Sequence, residues 1–135
     1  MLITVYLHRT HKWNSVVNQV VFVTGSAVGI GREVATSWAK QSATIVALDI
    51  DTAENKVTHS QVESAGGTCH SYTCDISDRE AVRAVFDDLK GKIDHIDLLV
   101  NNAAVYGDTK LTSSDWDTQT RAFDNAMGSC AMGAF

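Results

Sequence analysis

Apolar and amphipathic segments alternate along the chain from Val20 onward. The apolar segments are VVFVT (20–24), TIVALD (44–49), HSYTCD (70–75) and IDLLVN (96–101). Their lengths predict strands, and the segments between them have the length and apolar spacing of helices. This β-α-β-α order predicts an α/β fold, in which a parallel sheet of about four strands has helices on both faces.

The first two predicted helices have recognisable spacing and end signals. Apolar residues at helical spacing in the first are Ile30, Val34, Ala35 and Trp38. Asp51 and Glu54 form a possible capping pair at the start of the second helix, and Gly66 with Gly67 ends it.

The third predicted helix has the clearest signals. Ser77 and Glu80 have capping-box spacing, and Gly91 ends the segment. The apolar stripe between them consists of Val82, Val85, Phe86 and Leu89. This stripe predicts a face packed in the core.

The fourth predicted strand is apolar on both faces, which is typical of a central strand in a parallel sheet. Its apolar residues are Ile96, Leu98, Leu99 and Val100. Without a further strand beside it, this segment would be an apolar edge that pairs readily with other chains. We therefore expect the 135-residue chain to associate or to be partly ordered.

Composition narrows the range of partners and compartments. The formal net charge is −5, and Lys and Arg are scattered, so no nucleic-acid-binding face is predicted. Cys69, Cys74 and Cys130 are odd in number and lack CxxC spacing, which argues against a disulfide framework or a zinc site. We therefore expect a reducing, cytoplasmic location.

Residues 1–17 are expected to be a loosely attached N-terminal extension, and residues 18–135 one domain. The apolar segment 1–7 is far too short to cross a bilayer, and the basic residues after it replace the cleavage site of a secretory signal. His8 and His11 have no carboxylate or cysteine near them in sequence, so no metal site is predicted.

Residues 20–35, VVFVTGSAVGIGREVA, lead from a strand through three glycines into a helix. The start of a helix has unpaired N–H groups and a partial positive charge, which attract anions. Gly25, Gly29 and Gly31 permit positive φ and let a phosphate approach the amides without a Cβ in the way. A tight turn that binds nothing is the alternative.

Two acidic residues end later strands at the same edge of the predicted sheet. Asp49 lies 18 residues after Gly31, where a carboxylate can accept both hydroxyls of an adenosine ribose and repel a 2′-phosphate. Asp75 ends the third strand and can accept a hydrogen bond from an adenine amino group. Helix capping is the alternative for both, although Asp51 is better placed than Asp49.

TGSAVGIG (24–31), Asp49, CDISD (74–78) and NNAA (101–104), in this order, resemble the short-chain dehydrogenase/reductase family. The resemblance implies a Rossmann-like NAD-binding domain over residues 18–135, part of an oxidoreductase that acts on alcohol or carbonyl groups with NAD(P). It also implies a small-molecule substrate and a homo-oligomer for the full-length protein, with no membrane partner.

The resemblance also implies roles for individual residues. The pyrophosphate would be lined by Gly25, Ser26, Gly29, Ile30 and Gly31. Asp49 would bind the adenosine ribose, Asp75 and Ile76 the adenine, and Asn102 the region of the nicotinamide ribose.

Cofactor preference follows from two further positions of the same resemblance. In the family, a basic residue before the second glycine or after the second strand marks NADP. This sequence has Val28 and Ile50 there and keeps Asp49, so NAD is expected rather than NADP. Ala104 replaces the glycine of the family's NNAG.

Hydride transfer in the family needs a Ser, a Tyr and a Lys that lie on later elements. The chain ends at Phe135, so we expect it to carry only the cofactor-binding half and to be inactive alone. Tyr106 and Lys110 have YxxxK spacing, but a Gly-Asp turn lies between them. Asn125, followed by Gly128, matches the family's N-x-x-G and would hold a water molecule in the proton relay.

Two other function classes stay open at this point. A non-catalytic dinucleotide-binding module would use the same residues. An S-adenosylmethionine-dependent methyltransferase also has a glycine turn after its first strand and acidic residues after the next two. Thr24, the GxxxGxG spacing and the Asn101–Asn102 pair argue against the methyltransferase.

Overall fold

The computed structural model describes the backbone of residues 4–7, residues 18–104 and residue 120. The strands are β1 (Thr4–Leu7), β2 (Val20–Thr24), β3 (Thr44–Asp49), β4 (Thr68–Thr73) and β5 (Leu98–Asn101). The helices are α1 (Gly29–Ala39), α2 (Thr52–Ser64) and α3 (Arg79–Leu89).

The five strands form one sheet in the order β1-β5-β2-β3-β4. β2 pairs in parallel with both β3 and β5, and β4 extends the parallel part beyond β3. All five residues of β2 are buried, which is typical of a central strand in a parallel sheet. The predicted Rossmann-like α/β fold is confirmed.

Each face of the sheet is covered by helices, because β2, β3 and β5 are apolar on both sides. On one face, the alanines of α1 and Val62 of α2 pack against Val21, Val23 and Ile45. On the other face, Val85 and Leu89 of α3 pack in a second cluster. Each fully buried aliphatic side chain of this kind contributes about 1.5–3 kcal/mol to folding.

Two of the predicted strands have the predicted bounds, and two are shifted. β2 and β3 match the segments 20–24 and 44–49. β4 runs from Thr68 to Thr73 rather than over 70–75, because its first residue pairs with Thr44 at the start of β3. β5 begins at Leu98, two residues later than the apolar segment indicates.

In the predicted capping pair of α2 the role of Asp51 is confirmed, and the predicted cap of α3 is wrong. Asp51 accepts hydrogen bonds from the amides of Ala53 and Glu54, both at 3.0 Å. At α3 the capping carboxylate belongs to Asp78, which accepts from two amides of the first turn. Ser77 lies one residue before this N-cap, and its hydroxyl donates to the Asp75 carboxylate.

The prediction that the last strand is a bare edge is also wrong. β1 pairs antiparallel with β5 along its whole length, with Val5 opposite Val100. Part of the expected loose extension is therefore a strand of the sheet, while the domain boundary at residue 18 stays a prediction. In the described part of the chain, none of the helices is both long enough and apolar enough to span a membrane.

Candidate dinucleotide-binding site

The carboxyl end of β2 lies at the point where the chain changes direction across the sheet. From β2 the chain moves through α1 to β3 on one side, and after β4 it returns through α3 to β5 on the other. A crevice opens at such a switch point, and ligands of open α/β sheets bind there.

Two glycines pack the turn after β2 tightly against the end of β5. Gly25 has φ +68°, and a Cβ on it would lie 2.7 Å from the Cα of Ala103. A Cβ on Gly31 would overlap the Gly25 carbonyl oxygen and lie 2.7 Å from the side-chain nitrogen of Asn102. These two positions therefore need glycine for close packing of backbone on backbone.

Gly29 differs from the other two because it faces open space. Its φ is +58°, and a Cβ built on it would have nothing within 4 Å among the described residues. It is also the first residue of α1, whose N-terminus has no side-chain cap and no acidic residue in its first turn within the described part of the chain. The unpaired amides at the start of α1 thus face a space that a bound anion can occupy.

Two other amides of the turn are used within the fold. The Ser26 amide donates to the Leu48 carbonyl at 3.2 Å, and the Ala27 amide donates to Asp49 Oδ2 at 2.9 Å. The amides left for an anion are therefore those at the start of α1, among them Gly29 and Ile30.

The carboxylate of Asp49 is held in one orientation by backbone amides. Oδ2 accepts from Ala27, and Oδ1 accepts from the amide of Asp51 at 2.9 Å. A carboxylate has about four acceptor positions, so two stay available for hydroxyl groups. Because Asp51 caps α2, the alternative capping role of Asp49 does not apply.

Asp75 lies two residues beyond the end of β4, on the same edge of the sheet. Its Oδ1 accepts from both the hydroxyl and the amide of Ser77, at 2.7 and 2.9 Å. The hydrogen bond from the Ser77 hydroxyl, and to a smaller extent that from the Ser77 amide, lowers the pKa of the Asp75 carboxyl. Asp75 does not cap α3, and the adjacent Ile76 packs against the apolar cluster under that helix.

Asn102 joins the ends of β2 and β5. Its side-chain nitrogen donates to the carbonyls of Thr24 and Gly25, at 3.1 and 3.0 Å. The Thr24 hydroxyl accepts from the amides of Asn102 and Ala103. The side-chain amide of Asn102 therefore holds the glycine turn from the β5 side.

Three apolar side chains stand exposed around Asp49 and the turn. Val28, Ile30 and Ile50 are 57%, 46% and 65% exposed. The hydrogen bond from Ala27 to Asp49 brings the segments that carry Val28 and Ile50 together. This rim offers an apolar surface beside a carboxylate, which suits a nucleoside.

A buried polar network under the turn was missed by the sequence patterns. Ser26 is fully buried, and its hydroxyl donates to Asn55 Oδ1 at 2.8 Å. Thr58, also fully buried, donates to the Ser26 carbonyl at 2.9 Å. The available signal was the spacing of Asn55, Thr58 and Val62, which places two polar residues on the buried face of α2.

Arg32 ties α1 to α2 behind the turn. Its guanidinium pairs with Glu54 at 2.6 Å and donates to the Thr58 hydroxyl at 2.9 Å. It also donates to the Ala27 carbonyl. Glu54 is thereby engaged with Arg32 rather than with the start of its own helix, so only the Asp51 half of the predicted capping pair forms.

Three residues considered for catalysis lie outside the described residues. They are Asn125, Tyr106 and Lys110.

Among the described cysteines, Cys69 and Cys74 are buried free thiols. Burial raises the pKa of Cys69 to about 12, so this thiol is protonated at neutral pH and is a poor nucleophile.

An α/β sheet whose strands β2 to β5 are parallel, with a glycine turn into a helix at its switch point, is typical of the class of Rossmann-fold proteins. Comparison with known proteins gives the family. The profile described as short chain dehydrogenase matches residues 19–134. The chain therefore belongs to the short-chain dehydrogenase family.

Individual relatives agree with this assignment. The 3beta-hydroxysteroid dehydrogenase of Mediterraneibacter gnavus is 34% identical over 116 residues, which are 83% of this chain and 41% of that protein. The NAD+-bound xylitol dehydrogenase structure superposes with a TM-score of 0.74 and 27% identity, covering 92% of this chain and 46% of that one. The structure of a short chain dehydrogenase from Mycobacterium paratuberculosis bound to NAD superposes with a TM-score of 0.76 and 26% identity, covering 89% of this chain and 48% of that one. The chain thus spans less than half the length of these proteins.

Proposed function

We propose that this chain carries the NAD-binding part of an oxidoreductase that acts on an alcohol or carbonyl group of a small molecule. The family membership and the two related structures with bound NAD support a nicotinamide dinucleotide as the cofactor. Hydride transfer is proposed for the whole protein, in which the cofactor would accept or donate the hydride.

The observation that carries the proposal is the position of Asp49 beside the open start of α1. The Ala27 amide links the carboxylate to the turn, one residue before the N-cap Val28. A diphosphate on the amides of α1 would place its adenosine ribose toward a carboxylate that still has acceptor positions. Both parts of a dinucleotide's adenosine half thus have a matching group.

The same geometry favours NAD over NADP. A 2′-phosphate next to Asp49 would meet a negative charge, and Val28 and Ile50 offer it no cation. Arg32, the cation that follows the glycine turn, is bound to Glu54 instead. NAD is therefore the proposed cofactor.

The remaining assignments are part of the same proposal. Asp75 and Ile76 would contact the adenine, Asn102 would hold the turn near the nicotinamide ribose, and Asn125 would act in the proton relay. Homo-oligomer formation and a cytoplasmic location are also proposed, the latter supported by the two buried free thiols.

Isothermal titration of the purified chain tests the proposal. We expect saturable binding of NAD, binding of NADP at least tenfold weaker, and no binding of S-adenosylmethionine. A well-folded preparation without affinity for either dinucleotide would contradict it. Saturation by S-adenosylmethionine alone would point to a methyltransferase.

A further inference from the structure

Asn55 is a buried amide in a helix whose neighbouring residues are largely exposed. Its side chain lies on α2 and is only 3% exposed. A buried amide is costly to leave unpaired, and here it makes three hydrogen bonds. Oδ1 accepts from the Ser26 hydroxyl at 2.8 Å, while Nδ2 donates to the carbonyls of Ala47 and Tyr72 at 3.2 and 3.1 Å.

The three partners of Asn55 belong to three different segments at the carboxyl end of the sheet. Ser26 is in the glycine turn, Ala47 is in β3, and Tyr72 is in β4. Asp49 ends β3 two residues after Ala47. One side chain therefore connects the turn that faces the diphosphate to the strand that ends in the ribose acceptor.

A second bond from α2 reinforces this connection. Thr58, one turn after Asn55, donates to the carbonyl of Ser26, so Ser26 is held through its side chain and its backbone. The next residue is Ala27, whose amide donates to Asp49. Asn55 is therefore connected to the Asp49 carboxylate in two ways. It bonds to β3, the strand that ends at Asp49, and it bonds to the turn, whose next amide donates to Asp49.

We propose that Asn55 is a positioning residue for the adenosine half of the cofactor. It sets the distance between Asp49 and the open amides of α1, without touching the cofactor itself. This inference rests on the proposed NAD binding. A purely structural role for Asn55 would change how much of the protein is folded, whereas a positioning role changes the affinity of the folded protein.

The test compares NAD titrations of the full chain with those of Asn55→Ala, Ser26→Ala and Val62→Ala. Val62 is fully buried on the same helix and packs in the apolar cluster, so Val62→Ala is a control for lost stability. We expect Asn55→Ala to raise the dissociation constant about tenfold with unchanged stoichiometry, because Asp49 and the amides of α1 are then no longer held at a fixed distance. Ser26→Ala should raise it less, and Val62→Ala should lower the melting temperature alone.

A second arm asks whether Asn55 acts through Asp49. In an Asp49→Ala background, adding Asn55→Ala should change the logarithm of the NAD dissociation constant by less than half of the change that it causes in the original chain. Equal effects in both backgrounds would overturn the proposal, as would an unchanged dissociation constant for Asn55→Ala or an equal loss in Val62→Ala.

Two further outcomes are distinguishable from these. If Asn55→Ala does not fold, the comparison of Ser26→Ala with Val62→Ala decides, and an affinity loss in Val62→Ala as large as in Ser26→Ala overturns the positioning role. If the original chain is folded but does not bind NAD, the proposed function itself fails, and the positioning role fails with it.

Discussion

The fold fixes the orientation of the Asp49 carboxylate, the proposed acceptor for the ribose. One of its oxygens accepts a hydrogen bond from the Ala27 amide, and the other accepts one from the Asp51 amide. A bound ribose would therefore meet an acceptor whose rotamer is already set, which reduces the entropy lost on binding.

Replacing Asp49 by alanine should weaken NAD binding by about 1.5–3 kcal/mol, the usual contribution of a hydrogen bond to a charged group. NADP should lose less or gain, because the repulsion of its 2′-phosphate disappears. Titration of both cofactors measures the difference. Asp51→Ala is the matched control, since that carboxylate caps α2 and should leave NAD affinity unchanged. Equal losses for the two cofactors would contradict the ribose role of Asp49.

Two glycines of the turn should respond differently to alanine. Gly29→Ala adds a methyl group in open space at positive φ, which costs about 1–2 kcal/mol of stability, and it obstructs the amides of α1. Gly31→Ala forces the methyl into the Gly25 carbonyl and should cost about 3 kcal/mol. Urea unfolding measures the two losses of stability. Titration with NAD should show that the folded Gly29→Ala variant has lost its affinity for NAD. Retained affinity in that variant would contradict a diphosphate at the turn.

At the scale of elements, α1 differs from the other helices in its N-terminus. α2 and α3 are preceded by Asp51 and Asp78, whose carboxylates cap them. No described side chain caps α1, which begins at the glycine turn. An aspartate cap there would occupy the position of a diphosphate, so the uncapped start is a structural cost consistent with binding.

The cap of α3 gives a test that separates two neighbouring residues. Asp78→Ala should lower the free energy of unfolding by about 1 kcal/mol, the usual cost of losing an N-cap. Ser77→Ala should change it by less than about 0.5 kcal/mol, since Ser77 is exposed and binds Asp75 instead. Urea unfolding of both variants provides the measurement. The reverse order would restore Ser77 as the cap.

For the whole molecule, the strand β1 decides which edge the sheet presents. Its pairing covers β5, so an apolar central strand does not face other chains. Association of the chain stays a prediction. Its predicted cause, an exposed β5, does not apply, because β1 forms the edge on that side of the sheet.

Replacing both Val5 and Tyr6 by proline should release this protection. Antiparallel pairing alternates along the strand, so two adjacent prolines remove at least one amide that faces β5. We expect the double variant to associate at lower concentration than the original chain in sedimentation velocity. The same double change at His8 and Arg9, which follow β1, is the control. Equal association of the two variants would contradict a protective role of β1.

Much of the site could be predicted from the sequence because its main parts depend on neighbours along the chain. The glycine turn follows directly from β2, and Asp49 follows from the bounds of β3, which the apolar segment matched. The hydrogen bonds of Asn55 could not be predicted from pattern alone, since they join residues of three separate segments. Propensity does not contain such contacts.

The sequence by itself determined the order of strands and helices from Val20 onward, the Rossmann-like class and the glycine turn, because hydrophobic periodicity and glycine placement act locally. The tertiary structure alone decided that β1 covers β5 and that Ser26 points into the protein. Both depend on hydrogen bonds between segments that are distant in the sequence, and those bonds form only in the folded chain.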